Sequence, residues 1–324
     1  MRFQDQAEEV FSLTKPAPRA PSAGPLLSLR VHRRLSKQLQ AYLFLAPILL
    51  SIGLFKYTPF VQAITQSFYE WNGANIHRFI GLHNYETLFR DAAFYTSMKN
   101  ISLFTGSFVL IQLTFPLLAA IGIFHLKQAR AQAFFKFGFV IPMVVPHLII
   151  FLLWKWIYVG DGLLDRLLQA VGLEHLIHAW LGESGTALGA IVFISFPWIS
   201  GIYFLIYLAG LVSIPQELLE VGHIDGMNGW QRIRFIELPL LRNQLRLVLI
   251  LAFIQQFQSF ENVLVLTNGG PGYSTLTPAL YLYKKGFESN ELGYASAIGV
   301  VVFAILLLCT LAANRLLKTA ERVE

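Results

Sequence analysis

The chain of 324 residues is 55% hydrophobic and only 14% charged, with a mean hydropathy of +0.55, whereas an ordinary soluble domain carries about 25% charged residues. This balance excludes a typical water-soluble globular domain and predicts a membrane protein. The pI near 9.4 does not point to nucleic acid, because the basic residues cluster beside apolar runs instead of forming one stripe; the single cysteine, Cys309, rules out a disulfide framework or a cysteine-based metal site.

Residues 1–38 carry Pro16, Pro18, Pro21 and Pro25 with a basic patch from Arg30 to Arg34, and read as a disordered cytoplasmic tail. A cleaved signal peptide would have a shorter apolar core followed by a small-residue cleavage site, and here the run that follows reaches full spanning length. Six stretches then match the roughly 20 helical residues that cross a hydrocarbon core: residues 39–61, 101–124, 134–158, 187–212, 245–266 and 294–316. None shows the ten-residue alternation of a β-barrel strand, so the expected fold is an all-α membrane protein with six transmembrane helices. Spanning helices tolerate the prolines at 47, 59, 116, 142, 146 and 197 where neighbours satisfy the freed carbonyls.

Lysine and arginine set the orientation. Segments 1–38, 125–136, 213–246 and 315–324 hold 7, 3, 4 and 3 of them, and the alternate segments 62–100, 159–186 and 267–293 hold 3, 1 and 2. Both termini are therefore expected in the cytoplasm, with residues 39–317 as the transmembrane domain and 318–324 as a second cytoplasmic tail. Lys56 and Lys155 fall near outer helix ends, where an ammonium reaches the interface by snorkelling.

The longest polar interruption is ELLEVGHIDGMNGWQRIRFIELPLL, residues 217–241. Ser213 to Gln216 fits a capping box that opens a short helix, and Gly226, with Gly229 close behind, supplies the backbone freedom that ends it. A second helical stretch is expected from Trp230 to Ile236, ending before Leu238-Pro239. Leu218, Val221 and Ile224 form an apolar edge on the first helix, with Glu217 and Glu220 facing another way. A helix this short needs tertiary support: a docked protein would supply it, and so would lipid headgroups, although the glutamates do not suit the basic face of an interfacial helix.

In the fifth stretch Gln255, Gln258, Ser259 and Asn262 fall at helical spacing on one face, with Glu261 beside them. Polar groups at membrane depth face a cavity or a neighbouring helix, so this face is a candidate wall of a translocation path or an interhelical hydrogen-bonding seam. Amides match the hydroxyls of a sugar and aromatic rings its C–H faces; Trp198 and Tyr203 in the fourth stretch are candidate rings. Trp154 and Trp156 fit an interfacial belt, and His147 and His223 read as structural. No H-E-x-x-H, G-x-S-x-G or G-x-x-x-x-G-K-[ST] occurs, so the chain is expected to be no enzyme, to bind no cofactor itself and to draw any ATP-driven work from another subunit.

Glu220-Val-Gly222, Asp225-Gly226-Met227 and, eight residues on, Ile236-Glu-Leu-Pro239 resemble the pattern E-A-A, two residues, D-G-A, eight residues, I-x-L-P of ATP-binding-cassette importer permeases. Ile80–Tyr85, Trp154–Trp156, Leu208–Leu211, Gln258–Glu261, Leu266–Gly272 and Leu292–Ser296 are similar to the carbohydrate branch of that family, which contains the maltose and glycerol-phosphate systems. The resemblance covers residues 39–317. It implies that 213–241 docks into a groove of an ATPase subunit through Glu217, Leu218, Glu220, Val221, Gly222, Asp225, Gly226 and Pro239. It also implies a second homologous permease, two cytoplasmic ATPase subunits that hold ATP and Mg, an extracytoplasmic solute-binding protein and a carbohydrate substrate, in the bacterial inner membrane. It points to the fourth and fifth spans for solute contacts, where only Gln258 and Glu261 match closely. The rival reading, an ion-coupled secondary transporter or channel, calls for several ionisable groups buried mid-span, and Glu261 is nearly alone.

Overall fold

The structure is a computed structural model that describes the backbone of residues 42–321 and the side chains of residues 42–315; the expected tail at 1–38 and the last three residues of the chain lie outside the described residues. The chain divides into two compact units after Val61. Helix α1, Tyr42–Gln66, is long and apolar enough to cross a membrane. Inside it, a π-helical turn at Gly53–Tyr57 precedes Pro59, which has no N–H to offer the preceding turn. Thr58 Oγ1 donates to Gly53 O at 3.0 Å there.

The second unit opens with an element that the all-helical expectation lacks: a hairpin of β1 (Tyr69–Trp71) and β2 (His77–Phe79), antiparallel, with Tyr69 opposite Phe79 and Trp71 opposite His77. Gly73, at φ +79°, makes its turn. After α2 (His83–Leu88) comes α3 (Ala92–Phe124), capped by Asp91, whose Oδ1 accepts from the amides of Ala93 and Phe94. At 33 residues it is about 50 Å long.

The chain continues through α4 (Ala129–Val140), α5 (His147–Ile157), α6 (Leu163–Ala170), α7 (Ala187–Phe193), α8 (Gly201–Val212) and α9 (Gln216–Ile224). Then follow α10 (Gly229–Arg232), α11 (Leu238–Leu240), α12 (Arg242–Phe257), α13 (Glu261–Leu266), α14 (Pro278–Tyr283) and α15 (Leu292–Glu321). Among the described residues α1, α3 and α15 are unbroken helices of spanning length and composition. Three of the expected spans are instead broken. The third bends by 93° between α4 and α5, where Pro142 and Pro146 cannot donate to the preceding turn. The fourth breaks at residues 194–200 around Pro197, and the fifth at residues 258–260.

α8 and α12 pack most extensively on α3. One core, including Phe204, Tyr207, Leu211, Leu241 and Val248, fills the seam among these three helices. Gly210 permits their close approach, since a Cβ there would stand 2.6 Å from Leu241 Cδ2 and 2.7 Å from Gln244 Cγ. A second core, including Leu88, Ile101, Leu276, Leu280 and Ile298, joins the start of α3 to α14 and α15.

Candidate functional site

Residues 213–241 fold as a helix, a turn and a second helical stretch, with two corrections. Ser213 does not cap α9. It is the C-cap of α8, one residue past the helix with its backbone still in the αR region, so its hydroxyl donates one turn back to Gly210 O at 2.7 Å, and α9 opens after Pro215 with no side-chain cap. The reciprocal box in this segment belongs to α10: Gln231 N donates to Asn228 Oδ1 and Asn228 N to Gln231 Oε1, both at 2.9 Å. Nor does the second stretch stop before Leu238-Pro239. It passes through a π turn at Ile233–Glu237 into α11, the same device that precedes Pro59.

The turn at Gly226 is built as expected. Met227 N donates to Gly222 O at 3.0 Å and Gly226 N to His223 O at 3.1 Å, with Gly226 at φ +70°, which is the Schellman ending of a helix. Gly222 is buried under Ile236: a Cβ would meet Ile236 Cδ1 at 2.8 Å. The glycine at 222 thus lets α9 lie against the π turn. Leu219 faces the core, whereas Leu218, Val221 and Ile224 are 43%, 52% and 84% exposed, joined by exposed Trp230 and Phe235. Glu217, Glu220, Asp225 and Pro239 are exposed around them. The expected apolar edge therefore exists and is uncovered among the described residues.

Beneath that surface lies a group that sequence reasoning missed. Glu237 is fully buried; its Oε1 stands 2.9 Å from His125 Nε2 at the end of α3 and 3.3 Å from Arg232 Nε. His125 is 112 positions away in sequence, and no local pattern connects the two.

In the fifth span the expected single polar face is not formed, because Gln258 ends α12 and Glu261 starts α13. Tyr203 and Gln255 are brought together, the hydroxyl donating to Gln255 Oε1 at 2.7 Å. Ser259 Oγ donates to Asn262 Oδ1 at 2.6 Å, and Thr277 Oγ1 to the Ser259 carbonyl at 3.0 Å, so a distant loop satisfies the break. Gln255, Gln258 and Glu261 are exposed on the chain's surface, and Ser259 and Asn262 are half-buried. Gln256 turns inward; with Asn262 and with Ser195 from the break in the fourth span it lines a cavity of about 20 Å³. The two breaks thus adjoin each other.

Trp198 sits in the fourth-span break at φ +61°, an outlier conformation for a bulky residue. Its ring packs against Phe115 at 5.0 Å, Phe196 at 5.3 Å and Phe193 at 5.4 Å. Its buried Nε1 has no hydrogen-bond partner among the described residues.

Lys155 does not snorkel freely, since it donates to the Val265 carbonyl of α13 at 2.9 Å. Trp154 packs against Tyr158 and Phe193, while Trp156 is exposed. His147 stacks on Phe151 with ring centroids 6.2 Å apart. At the far end of α3, Asp91 Oδ2 accepts from the hydroxyls of Tyr281 and Tyr294, tying α3 to α14 and α15. Burial raises the Asp91 pKa, but the hydrogen bonds from Tyr281, Tyr294, Ala93 and Phe94 outweigh it and hold the group below its ordinary 3.8. An open cavity of about 570 Å³ adjoins this tie. The charges on its rim are matched within the chain, Arg78 with Glu70 at 2.7 Å and Lys285 with Glu291 at 3.0 Å.

Helices long and apolar enough to cross a membrane, two adjoining helix breaks that carry polar side chains, and an exposed apolar hairpin with a Schellman turn fit a membrane transport subunit. Residues 92–323 match the family described as binding-protein-dependent transport system inner membrane component, and the chain belongs to that family. It is 34% identical over 283 residues, 86% of this chain and 96% of the other, to the probable ABC transporter permease protein YurN of Bacillus subtilis (strain 168). It is 32% identical to the arabinooligosaccharides transport system permease protein AraP of the same organism, covering 87% and 89%. With the diacetylchitobiose uptake system permease protein NgcF of Streptomyces coelicolor it shares 31% identity, covering 82% and 78%. Its fold is similar to a chain in the crystal structure of a bacterial ABC transporter involved in the import of the acidic polysaccharide alginate, with a TM-score of 0.79 at 21% identity over 90% of this chain and 99% of that one.

Proposed function

We propose that this chain is the permease subunit of an ATP-driven importer of a sugar or oligosaccharide, lining the translocation path together with a second, homologous permease. Both termini and the hairpin at 213–241 lie in the cytoplasm, and α1, α3, α4–α5, α7–α8, α12–α13 and α15 make six spans. One observation carries the reading: the hairpin exposes Leu218, Val221 and Ile224 to water, while the broken fifth span exposes Gln255, Gln258 and Glu261. An acid at membrane depth costs about 2.5–3.5 kcal/mol against lipid, so this side of α12–α13 faces a polar path or the second subunit. Each apolar side chain on the hairpin gains about 1.5–3 kcal/mol on burial, so that edge seats in a partner, one of two cytoplasmic ATPase subunits. These hold ATP and Mg, and this chain performs no chemistry.

Transport follows by alternating access. An extracytoplasmic solute-binding protein delivers the carbohydrate, ATP closes the ATPase pair, α9 moves with it, and the breaks in the fourth and fifth spans re-orient the polar side. Helix breaks at membrane depth are where transporters expose backbone and amide groups to solutes. The exposed amides of Gln255 and Gln258 suit sugar hydroxyls, and the partly exposed Trp198 ring suits a C–H face. The names of relatives, which include diacetylchitobiose and arabinooligosaccharide uptake systems, support a carbohydrate as the solute. Reconstituting this permease with its partners and measuring ATP hydrolysis against a panel of saccharides tests the reading. Stimulation by a saccharide is expected; transport that continues with no ATPase subunit present would establish the ion-coupled alternative.

A further inference from the structure

The hairpin must transmit force to the spans, and at one point a buried charge joins it to one of them. Glu237 is 0% exposed, on the π turn that follows α10. Its Oε1 is shared by His125 Nε2 at 2.9 Å, from the end of α3, and by Arg232 Nε at 3.3 Å, from α10; its Oε2 is buried with no partner among the described residues. Arg232 in turn places its guanidinium 3.4 Å from His223 Nε2, on the outer turn of α9. A buried carboxylate with one oxygen unsatisfied is costly to keep, and it belongs to the stretch of I-x-L-P whose second position the coupling pattern leaves open.

We propose that Glu237 is the positioning residue that couples the ATPase-docking helix to the translocation path: its carboxylate holds α3 and the α9–α10 hairpin as one body, so displacement of α9 moves the span that α8 and α12 pack against. The inference rests on the importer reading above and adds to it the joint through which the hairpin acts. Among apolar contacts alone α9 would be free to slide on the spans, because Leu219 and Gly222 are its main inward-facing residues. A charge fixed between two helices has one arrangement in which it is paired, and leaving it means burying an uncompensated carboxylate.

The test uses the reconstituted complex with Glu237→Gln, which keeps size and some hydrogen bonding but removes the charge, and His125→Gln, which removes the partner from its more accessible side. Expected for both is copurification of the ATPase subunits at wild-type yield, with solute-stimulated ATP hydrolysis and uptake reduced at least about tenfold and basal hydrolysis retained. Uptake and stimulation at wild-type levels in both variants would overturn the joint. So would loss of ATPase capture in His125→Gln, which would make the cluster a determinant of docking. A wild-type chain that captures no ATPase overturns the importer reading itself, an outcome visible before any variant is made.

Discussion

The hairpin at 213–241 and the broken fifth span invert each other's polarity. The hairpin displays Leu218, Val221, Ile224, Trp230 and Phe235 and hides the carboxylate of Glu237. The span, set among apolar helices, hides Val263 and Leu266 and displays Gln255, Gln258 and Glu261. Under the importer reading proposed above, each surface is suited to a partner: a protein groove at the first, a polar path shared with a second permease at the second. Misplaced polarity locates function here more sharply than the open cavity beside Asp91 does, since Arg78 and Lys285 on that cavity's rim are paired with Glu70 and Glu291.

The largest effect is expected at the hairpin. Replacing Val221 and Ile224 together by aspartate removes about 3–6 kcal/mol of burial, which is a loss of at least a hundredfold in affinity for the ATPase subunits; membrane insertion is unchanged, and titration of the purified permease with ATPase measures it. Wild-type affinity would mean that the exposed edge is not the docking surface. Next comes the turn. Gly226→Val forces a β-branched residue to φ +70°, a strain of roughly 1–2 kcal/mol or more, and transport is expected to fall about tenfold with α9 detached from its seat, read by protease sensitivity of residues 213–230.

At the span the signature is opposite. Glu261→Leu and Gln258→Leu leave ATPase capture at wild-type affinity and lower the uptake rate or raise the half-saturating solute concentration, by about tenfold for each lost pair of solute hydrogen bonds. If either variant loses capture and leaves solute dependence alone, the two regions are not separable as described. The smallest effect concerns Asp91. Its pKa is depressed on folding, so its contribution to stability is fully present above the ordinary 3.8 and disappears as pH falls through the lower folded value. Asp91→Asn should lower the thermal midpoint near pH 6 and lose its difference from wild type as pH falls below the depressed folded value; a gap that persists unchanged into acid would assign the tie to packing alone.

Legibility in the sequence followed how local each signal was. The Gly226 turn, the apolar edge of α9 and the three unbroken helices were readable because spacing within a dozen residues determines them. The third- and fourth-span breaks had prolines at 142, 146 and 197 to announce them. The fifth had none: Gln258-Ser259-Phe260 carries no proline or glycine, and the hydroxyl that satisfies the break, Thr277, is 18 residues away, so periodicity over Gln255, Gln258, Ser259 and Asn262 described a helix that does not continue. Ser213 was misread as a cap because a serine one residue past a helix can bond forward or back, and only the backbone of α8 decides which. The Glu237–His125 contact and the tie of Asp91 to Tyr281 and Tyr294 join residues more than a hundred positions apart, beyond the reach of any single-chain pattern.

The central claim is that the exposed hairpin seats in an ATPase, and it is tested most directly by cross-linking. With Cys309 replaced by serine, Leu218→Cys and Val221→Cys are each paired with a short thiol-reactive linker in vesicles that are actively importing solute. The account predicts an adduct between this chain and the ATPase subunit at both positions, forming at a rate that changes when ATP is added. Vesicles that keep importing while neither cysteine ever captures an ATPase would contradict it.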